Sequence, residues 1–353
     1  DIEELAQFTN IRSVAVYGGI GWTKHAEMIV PGIDILVATP GRLLDLYQHN
    51  VLSLKKVKIL VIDEADRMLD MGFLPQLKSI FEILPMRKQN LLFSATFNEK
   101  VETIAAEFLD FPVRVEVAPS ATPVEMVKQM VYHVPNFQTK LNLVSYLLSD
   151  VEDFKKVLIF CKTKVSAEEV FKAIKSRSDG EKRILHSNKG QSSRINSISA
   201  FKNDEVRILI STDVSARGID ASKVTHVINF DVPTNYDDYI HRIGRTARAG
   251  NHGVAITMLD PSEEWHFLNI EKIIRMSVPV YEVPVEVEFG DYGTYEQKDQ
   301  LREIDRQKRI DDPTFKGAFH EKKRKLHKDT RSYNDRFVKK QSTQAKKKRR
   351  LKP

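Results

Sequence analysis

The chain has 353 residues, 41% hydrophobic and 29% charged, enough for two ordinary globular domains and too apolar for broad disorder. Its lone cysteine, Cys161, excludes an internal disulfide. No apolar run reaches the roughly 18 residues of a membrane span, and the opening Asp1-Ile2-Glu3-Glu4-Leu5 is too acidic for a signal peptide. The net charge of +7 is uneven, because residues 301–353 hold 20 Lys and Arg against 7 Asp and Glu and leave the body net negative. An intracellular, cytoplasmic, reducing setting is expected, and the first residue is not Met, as in a fragment.

From Asp34 to Val117, short apolar runs alternate with longer amphipathic segments, the pattern of a parallel sheet covered by helices. Ile35–Ala38, Ile59–Ile62 and Leu91–Ser94 read as strands buried on both faces, with helices over Gly41–His49 and Leu74–Leu84. A break at Ala118-Pro119-Ser120-Ala121-Thr122-Pro123 suits an extended linker. The alternation restarts with strands at Met130–Val134, Val157–Phe160, Ile184–Leu185, Ile208–Ile210, Val224–Phe230 and Val254–Leu259. After about residue 290 the periodicity fades into runs such as Lys346-Lys347-Lys348-Arg349-Arg350, which bury too little to offset ordering entropy. The expected organisation is an incomplete α/β domain over 1–118, a linker over 119–127, a second α/β domain over 128–290 and a basic, mostly disordered tail over 291–353.

Asp63-Glu64-Ala65-Asp66 follows directly on the apolar run Ile59–Ile62. Open α/β sheets bind ligands outside the carboxyl ends of their strands, where one carboxylate can hold hydrated magnesium and a neighbour can orient an attacking water. Asp63 is assigned to the metal and Glu64 to the water; an acidic helix start that favours its dipole is the plain alternative. The dipeptide Gly-Lys occurs nowhere, so the phosphate-cradling loop G-x-x-x-x-G-K-[ST] is absent.

Arg242, Arg245 and Arg248 recur every three residues after His241, near one face of a helix, where a phosphate could answer their charge; a solvated basic helix end is the alternative. Ser94-Ala95-Thr96, Thr212-Asp213 and Arg217-Gly218-Ile219-Asp220 follow strands and suit phosphate or ribose contacts, as they equally suit caps and turns. Gly18-Gly19, Thr39-Pro40-Gly41-Arg42 and Gln191-Ser192-Ser193-Arg194 could offer amides, hydroxyls or Arg to a nucleic-acid backbone.

In order and spacing, these pieces from Tyr17-Gly18-Gly19 through Arg248 resemble the DEAD-box family of ATP-dependent RNA helicases over about residues 1–285. The resemblance implies two RecA-like domains that close on ATP and single-stranded RNA and bend the strand so that a short duplex opens. It implies that Asp63 and Glu64 serve magnesium and hydrolysis, and that Asp66, Ser94, Thr96 and His241 couple nucleotide to RNA. Arg245 and Arg248 resemble arginine fingers, and Gly218 and Asp220 a ribose contact. Gly19, Thr39, Gly41, Arg42, Gln191, Arg194 and Thr212 would grip RNA phosphates and sugars without reading sequence.

The family's adenine-reading segment, phosphate loop and first RNA motif would precede Asp1. The expectation is therefore an N-terminally truncated helicase, impaired as an ATPase, whose first domain leaves strands unpaired and an apolar face open. Ala247 stands where the family often has Gly, a minor departure. The basic tail could tether RNA or ribosomal and other ribonucleoprotein particles, or simply be solvated. The competing reading is a non-enzymatic RNA-binding protein using the second domain and tail; a DNA-unwinding enzyme of the same architecture is a third.

Overall fold

Short apolar runs nucleate the sheets of both halves, and what covers each run decides its shape. A computed structural model describes residues 2–97, 99–116, 126–175, 178–213, 223–246 and 253–315. The chain divides into two compact units, Asp1–Pro119 and Ser120–Pro353.

In the first unit the order is α1 (Ile2–Ala6), β1 (Ser13–Val16), α2 (Trp22–Ile29), β2 (Ile35–Ala38), α3 (Pro40–Gln48), β3 (Ile59–Ile62), α4 (Ala65–Asp70), α5 (Leu74–Ile83), β4 (Gln89–Leu92) and α6 (Glu99–Phe108). β1 pairs with β2 and β3 with β4, both in parallel, as two separate two-stranded sheets. Val14, Val16, Ile29, Leu46 and Ile80 form a buried cluster under α3 and α5. The alternate strand positions are open, with Val37 48%, Ile59 57% and Val61 52% exposed. The expectation of strands buried on both faces fails here, because helices cover one face only and the two-residue period turns every second side chain outward.

The second unit runs β5 (Val127–His133), α7 (Phe137–Ser149), β6 (Val157–Cys161), α8 (Lys164–Lys175), β7 (Lys182–Leu185), α9 (Gln191–Lys202), β8 (Ile208–Thr212), β9 (His226–Asn229), α10 (Asp237–Ile243), β10 (Gly253–Leu259), α11 (Glu264–Ile274), β11 (Val280–Tyr281) and α12 (Glu296–Asp311). Its seven strands are all parallel, in the order β11-β5-β10-β9-β6-β8-β7. β6 lies inside the sheet between β9 and β8 and is fully buried, as its unbroken Val-Leu-Ile-Phe-Cys run requires. Cys161 at its end is completely enclosed, and burial, with the Asp231 carboxylate second, pushes its thiol well above the ordinary value.

Order continues past residue 290, where the tail was expected to begin. Asn136 Nδ2 donates to Gly290 O at 2.7 Å, and the Gly290 amide donates to Thr139 Oγ1 at 3.1 Å. A Cβ on Gly290 would lie 2.3 Å from Gln138 Cγ, so only glycine allows the approach. α12 is then held by polar side chains: Glu296 accepts from the Phe137 amide, Gln300 donates to Pro135 O, and Gln307 donates to Ser262 O. Trp265 Nε1 donates to Asp311 at its far end. Among the described residues no helix is long and apolar enough to cross a membrane.

Beneath this segment Lys140, 1% exposed, faces Glu263 at 2.5 Å, Asp260 at 3.4 Å and Asp231 at 3.7 Å. Burial opposes the ammonium charge, but the three carboxylates overcome it and raise the Lys140 pKa. One ammonium cannot satisfy three carboxylates, and burial, reinforced by Asp260 and Asp231, pushes Glu263 up to about 8.

Candidate functional site

β3 ends at Ile62, and the next four residues divide into two environments. Asp63 and Glu64 are exposed, whereas Ala65 and Asp66 are buried. Glu64 holds φ +50° and ψ 50°, a left-handed conformation that costs a non-glycine residue about 1–2 kcal/mol. That turn starts α4 and sends Asp66 inward, while the Glu64 amide donates to Asp63 Oδ1 at 2.9 Å.

Asp66 is tied to the end of the neighbouring strand. Its Oδ2 accepts from the Thr96 amide and the Thr96 hydroxyl, each at 2.9 Å, and its Oδ1 accepts from the Arg67 amide at 2.9 Å. Its own amide donates to Ser94 Oγ at 3.2 Å, and Ser94 Oγ donates to Thr96 O at 2.6 Å. Burial would raise the Asp66 carboxyl; the Thr96, Arg67 and Ser94 hydrogen bonds outweigh it and hold the pKa below the ordinary carboxylate value. Asp66, Ser94 and Thr96 are thus one network, and Asp63 and Glu64 stand outside it facing solvent. Asp63, an exposed residue, commits one carboxylate oxygen to the Glu64 amide. Magnesium, which keeps most of its water and takes one or two carboxylates beside phosphate oxygens, suits that donor set.

In the second unit the helical spacing does not carry from Arg242 to Arg245. α10 ends at Ile243 with Gly244 at its cap, so the spacing of three stops being helical before Arg245. Arg242, 2% exposed, points into the unit: Nε and Nη2 meet the two Asp213 oxygens at 2.6 and 2.8 Å, and Nη1 donates to Asp231 O at 2.6 Å and to Asn229 Oδ1 at 3.3 Å. Its charge is answered by the protein, which corrects the reading of Arg242 as part of a phosphate-facing trio. Arg245 is half-buried, its Nε donating to His241 O at 3.2 Å. The buried Thr246 hydroxyl donates to Val224 O at 2.5 Å. Arg248, Gly218 and Asp220 lie outside the described residues.

The residues expected to meet RNA sit at element starts. Gly19 has φ +87°, open to glycine without strain, in the turn between β1 and α2. Thr39 caps α3, its amide donating to Val16 O at 3.0 Å, and Gly41 lies exposed in the first turn. Arg42 clamps the loop: Nε donates to Tyr17 O at 3.3 Å, Nη2 to Ile20 O at 2.5 Å, and Nη1 pairs with Asp45 at 2.7 Å. Sequence alone offered Arg42 as a phosphate ligand; in this structure it also positions the Gly18-Gly19 turn. Gln191 opens α9 and accepts from Arg194 Nη1 at 3.1 Å, and Thr212 ends β8 beside Asp213.

Two parallel α/β units, one with an exposed Asp-Glu pair at a strand end and the other with an arginine-bearing helix end, are of the RecA-like α/β class. The DEAD/DEAH box helicase model matches residues 1–104, and the helicase conserved C-terminal domain model matches residues 139–250. The chain is 38% identical over 284 residues to the DEAD-box ATP-dependent RNA helicase RhpA of Helicobacter pylori, covering 80% of this chain and 57% of that protein. It is 34% identical over 284 residues to the ATP-dependent RNA helicase RhlB of Shewanella amazonensis, covering 79% of this chain and 64% of that protein. Among solved structures it resembles S. cerevisiae Dbp5 bound to RNA and ADP BeF3, with TM-score 0.69, 30% identity, and coverage of 80% of this chain and 73% of that one. The chain belongs to the DEAD-box family of RNA helicases. It spans 57% and 64% of the length of the two curated relatives named.

Proposed function

We propose that this chain is the greater part of the core of an RNA helicase that couples Mg-ATP hydrolysis to local unwinding or remodelling of RNA duplexes and RNA–protein complexes. The observation that carries the reading is the split within Asp63–Asp66: two solvent-facing carboxylates beside a third that is hydrogen-bonded to Ser94 and Thr96. Asp63 would hold magnesium, which when bound neutralises phosphate charge. Glu64 orients the attacking water, and the left-handed turn beneath it fixes where its carboxylate starts. Asp66, Ser94, Thr96 and His241 transmit nucleotide state to the RNA-binding loops. Arg245 and Arg248 supply guanidinium charge to the transferring phosphate, and Gly218 and Asp220 contact the ribose.

Gly19, Thr39, Gly41, Arg42, Gln191, Arg194 and Thr212 grip the RNA backbone, and the basic tail adds a salt-sensitive tether that could reach ribonucleoprotein particles. A cytoplasmic setting fits the single enclosed thiol. Because G-x-x-x-x-G-K-[ST] does not occur in the sequence, turnover by this chain alone is impaired. The half-covered strands carrying Val37, Ile59 and Val61 favour one rival, in which the second unit and tail bind RNA and the first unit hydrolyses nothing.

RNA-stimulated phosphate release distinguishes them when measured on the chain, on a fusion that supplies a phosphate-loop segment ahead of Asp1, and on Glu64→Gln forms of both. Turnover confined to the Glu64-containing fusion supports the helicase reading. RNA binding by the fusion without any Glu64-dependent turnover supports the rival, and stimulation by DNA as strongly as by RNA would replace the RNA assignment.

A further inference from the structure

Trp22 opens α2 directly after the Gly18–Gly21 turn. Its ring stacks on the His49 imidazole, with centroids 5.5 Å apart and planes 18° from parallel, yet 45% of the residue remains exposed. The offset stack covers part of the indole and leaves much of it to solvent. A single exposed aromatic is ordinary on a protein surface. This one is distinguished by how it is held.

His49 Nδ1 hydrogen-bonds Asp45 O at 2.7 Å, the Asp45 carboxylate pairs with Arg42, and Arg42 holds the carbonyls of Tyr17 and Ile20. The indole's stacking partner and the glycine turn are therefore two ends of one hydrogen-bonded assembly. With those carbonyls drawn onto Arg42, the amides of Gly18, Gly19 and Gly21 donate to no described residue. Approach to the turn is open, since a Cβ built on Gly18 or Gly41 would meet nothing within 4 Å. Under the same turn, His25 is 1% exposed against the Tyr17 ring, and neither of its ring nitrogens has a hydrogen-bond partner among the described residues. A buried polar ring left unsatisfied beneath an open, donor-rich turn marks a place that a ligand or its bridging water completes.

We propose that the exposed surface of Trp22 is a stacking platform for an unpaired nucleobase of the RNA strand whose phosphates approach the Gly18–Gly21 turn. The proposal rests on the RNA-binding reading of Gly19, Thr39, Gly41 and Arg42 and adds a base contact to a grip otherwise made on the backbone. Every base presents a π-face, so the platform raises affinity without choosing sequence. The Arg42 charge is already shared with Asp45, so the platform does not depend on it.

The chain has two tryptophans, so Trp265→Phe leaves Trp22 as its sole indole. In that background, fluorescence is titrated with single-stranded oligoadenylate and with an abasic ribose-phosphate strand of equal length, while anisotropy reports binding of each. Expected are quenching by oligoadenylate alone, and a loss of oligoadenylate affinity on the order of tenfold in Trp22→Ala with abasic affinity unchanged. Trp22→Phe should recover most of that loss. Equal oligoadenylate affinity in wild type and Trp22→Ala, or equal quenching by both strands, overturns the platform and leaves the backbone grip standing. Failure of both strands to bind overturns the backbone reading as well, and anisotropy identifies that outcome separately.

Discussion

In Arg242→Ala four hydrogen bonds disappear together: two to Asp213, one to Asp231 O and one to Asn229 Oδ1. Each charge-assisted bond is worth about 1.5–3 kcal/mol in isolation, but they share one guanidinium and do not add. Removing one partner of a buried pair costs about 3–5 kcal/mol, chiefly because the other charge is left unanswered. Asp213 keeps a side-chain exposure of 22%, so water relieves part of its penalty and the lower end of that range is expected. For a unit of this size the melting midpoint should fall by about 6–12 °C. Trp265 lies on α11 in the second unit, and in a Trp22→Phe background its fluorescence reports that unit alone during urea unfolding. Arg242→Lys, which keeps the charge but loses the planar fork, should fall between wild type and alanine. Arg242 and Asp213→Asn should be coupled in a double-mutant cycle. A loss below about 1 kcal/mol in Arg242→Ala would show that the guanidinium does not hold this unit together and is available to a ligand, as the three-residue spacing implied.

Arg245→Ala should leave urea stability within about 1 kcal/mol of wild type while lowering turnover at saturating ATP on the order of 100-fold in a form that hydrolyses ATP, read by phosphate release beside RNA anisotropy. Asp66→Asn places an amide donor against the Thr96 donors and should destabilise the first unit by about 2–3 kcal/mol in urea titrations followed by Trp22. The Asp66 pKa is lowered on folding, so its contribution is present above the ordinary carboxylate range and is lost as pH falls through the folded value; Thr96 amide exchange should accelerate there. Glu263 has the opposite sign. Its contribution is full below the ordinary carboxylate range and is lost as pH rises through about 8, so urea midpoints of the second unit should decline between pH 6 and 9, and less so in Glu263→Gln. Deleting residues 316–353 should flatten the salt dependence of RNA affinity; an unchanged slope would leave the tail as solvating charge.

The sequence shows β2, β3 and β6 because each is an unbroken apolar run with a polar or turn residue at its end. It hides β1 and β11: Ser13–Val16 opens on a serine after Arg12 and offers only Val14-Ala15-Val16 as an apolar run, and Val280–Tyr281 becomes a strand only by pairing with Val131 and Tyr132 across the chain. α12 is equally obscure, since Gln300, Gln307 and Glu296 dock it through hydrogen bonds and leave no apolar stripe to detect. The acidic strand end could be placed from sequence because its position follows from the strand before it. The separate duties of its carboxylates could not, because they depend on Thr96 thirty residues away. Arg242 misled for a related reason: spacing assigns a face only while the helix lasts, and Gly244 ends it. Trp22 carried no signal of its own, because its meaning comes from His49 and Arg42, which the fold brings to it.

The enclosure of Cys161 gives the chain an unplanned experimental convenience. A thiolate is the reactive species, and this sulfur is both inaccessible and held in its protonated form while β6 is intact. A thiol reagent is therefore expected to ignore the native chain and to modify it only at the rate at which the interior of the second sheet opens. Cysteines placed on the surface could then carry probes without first removing the natural one, and Cys161 would remain behind them as an internal clock for unfolding.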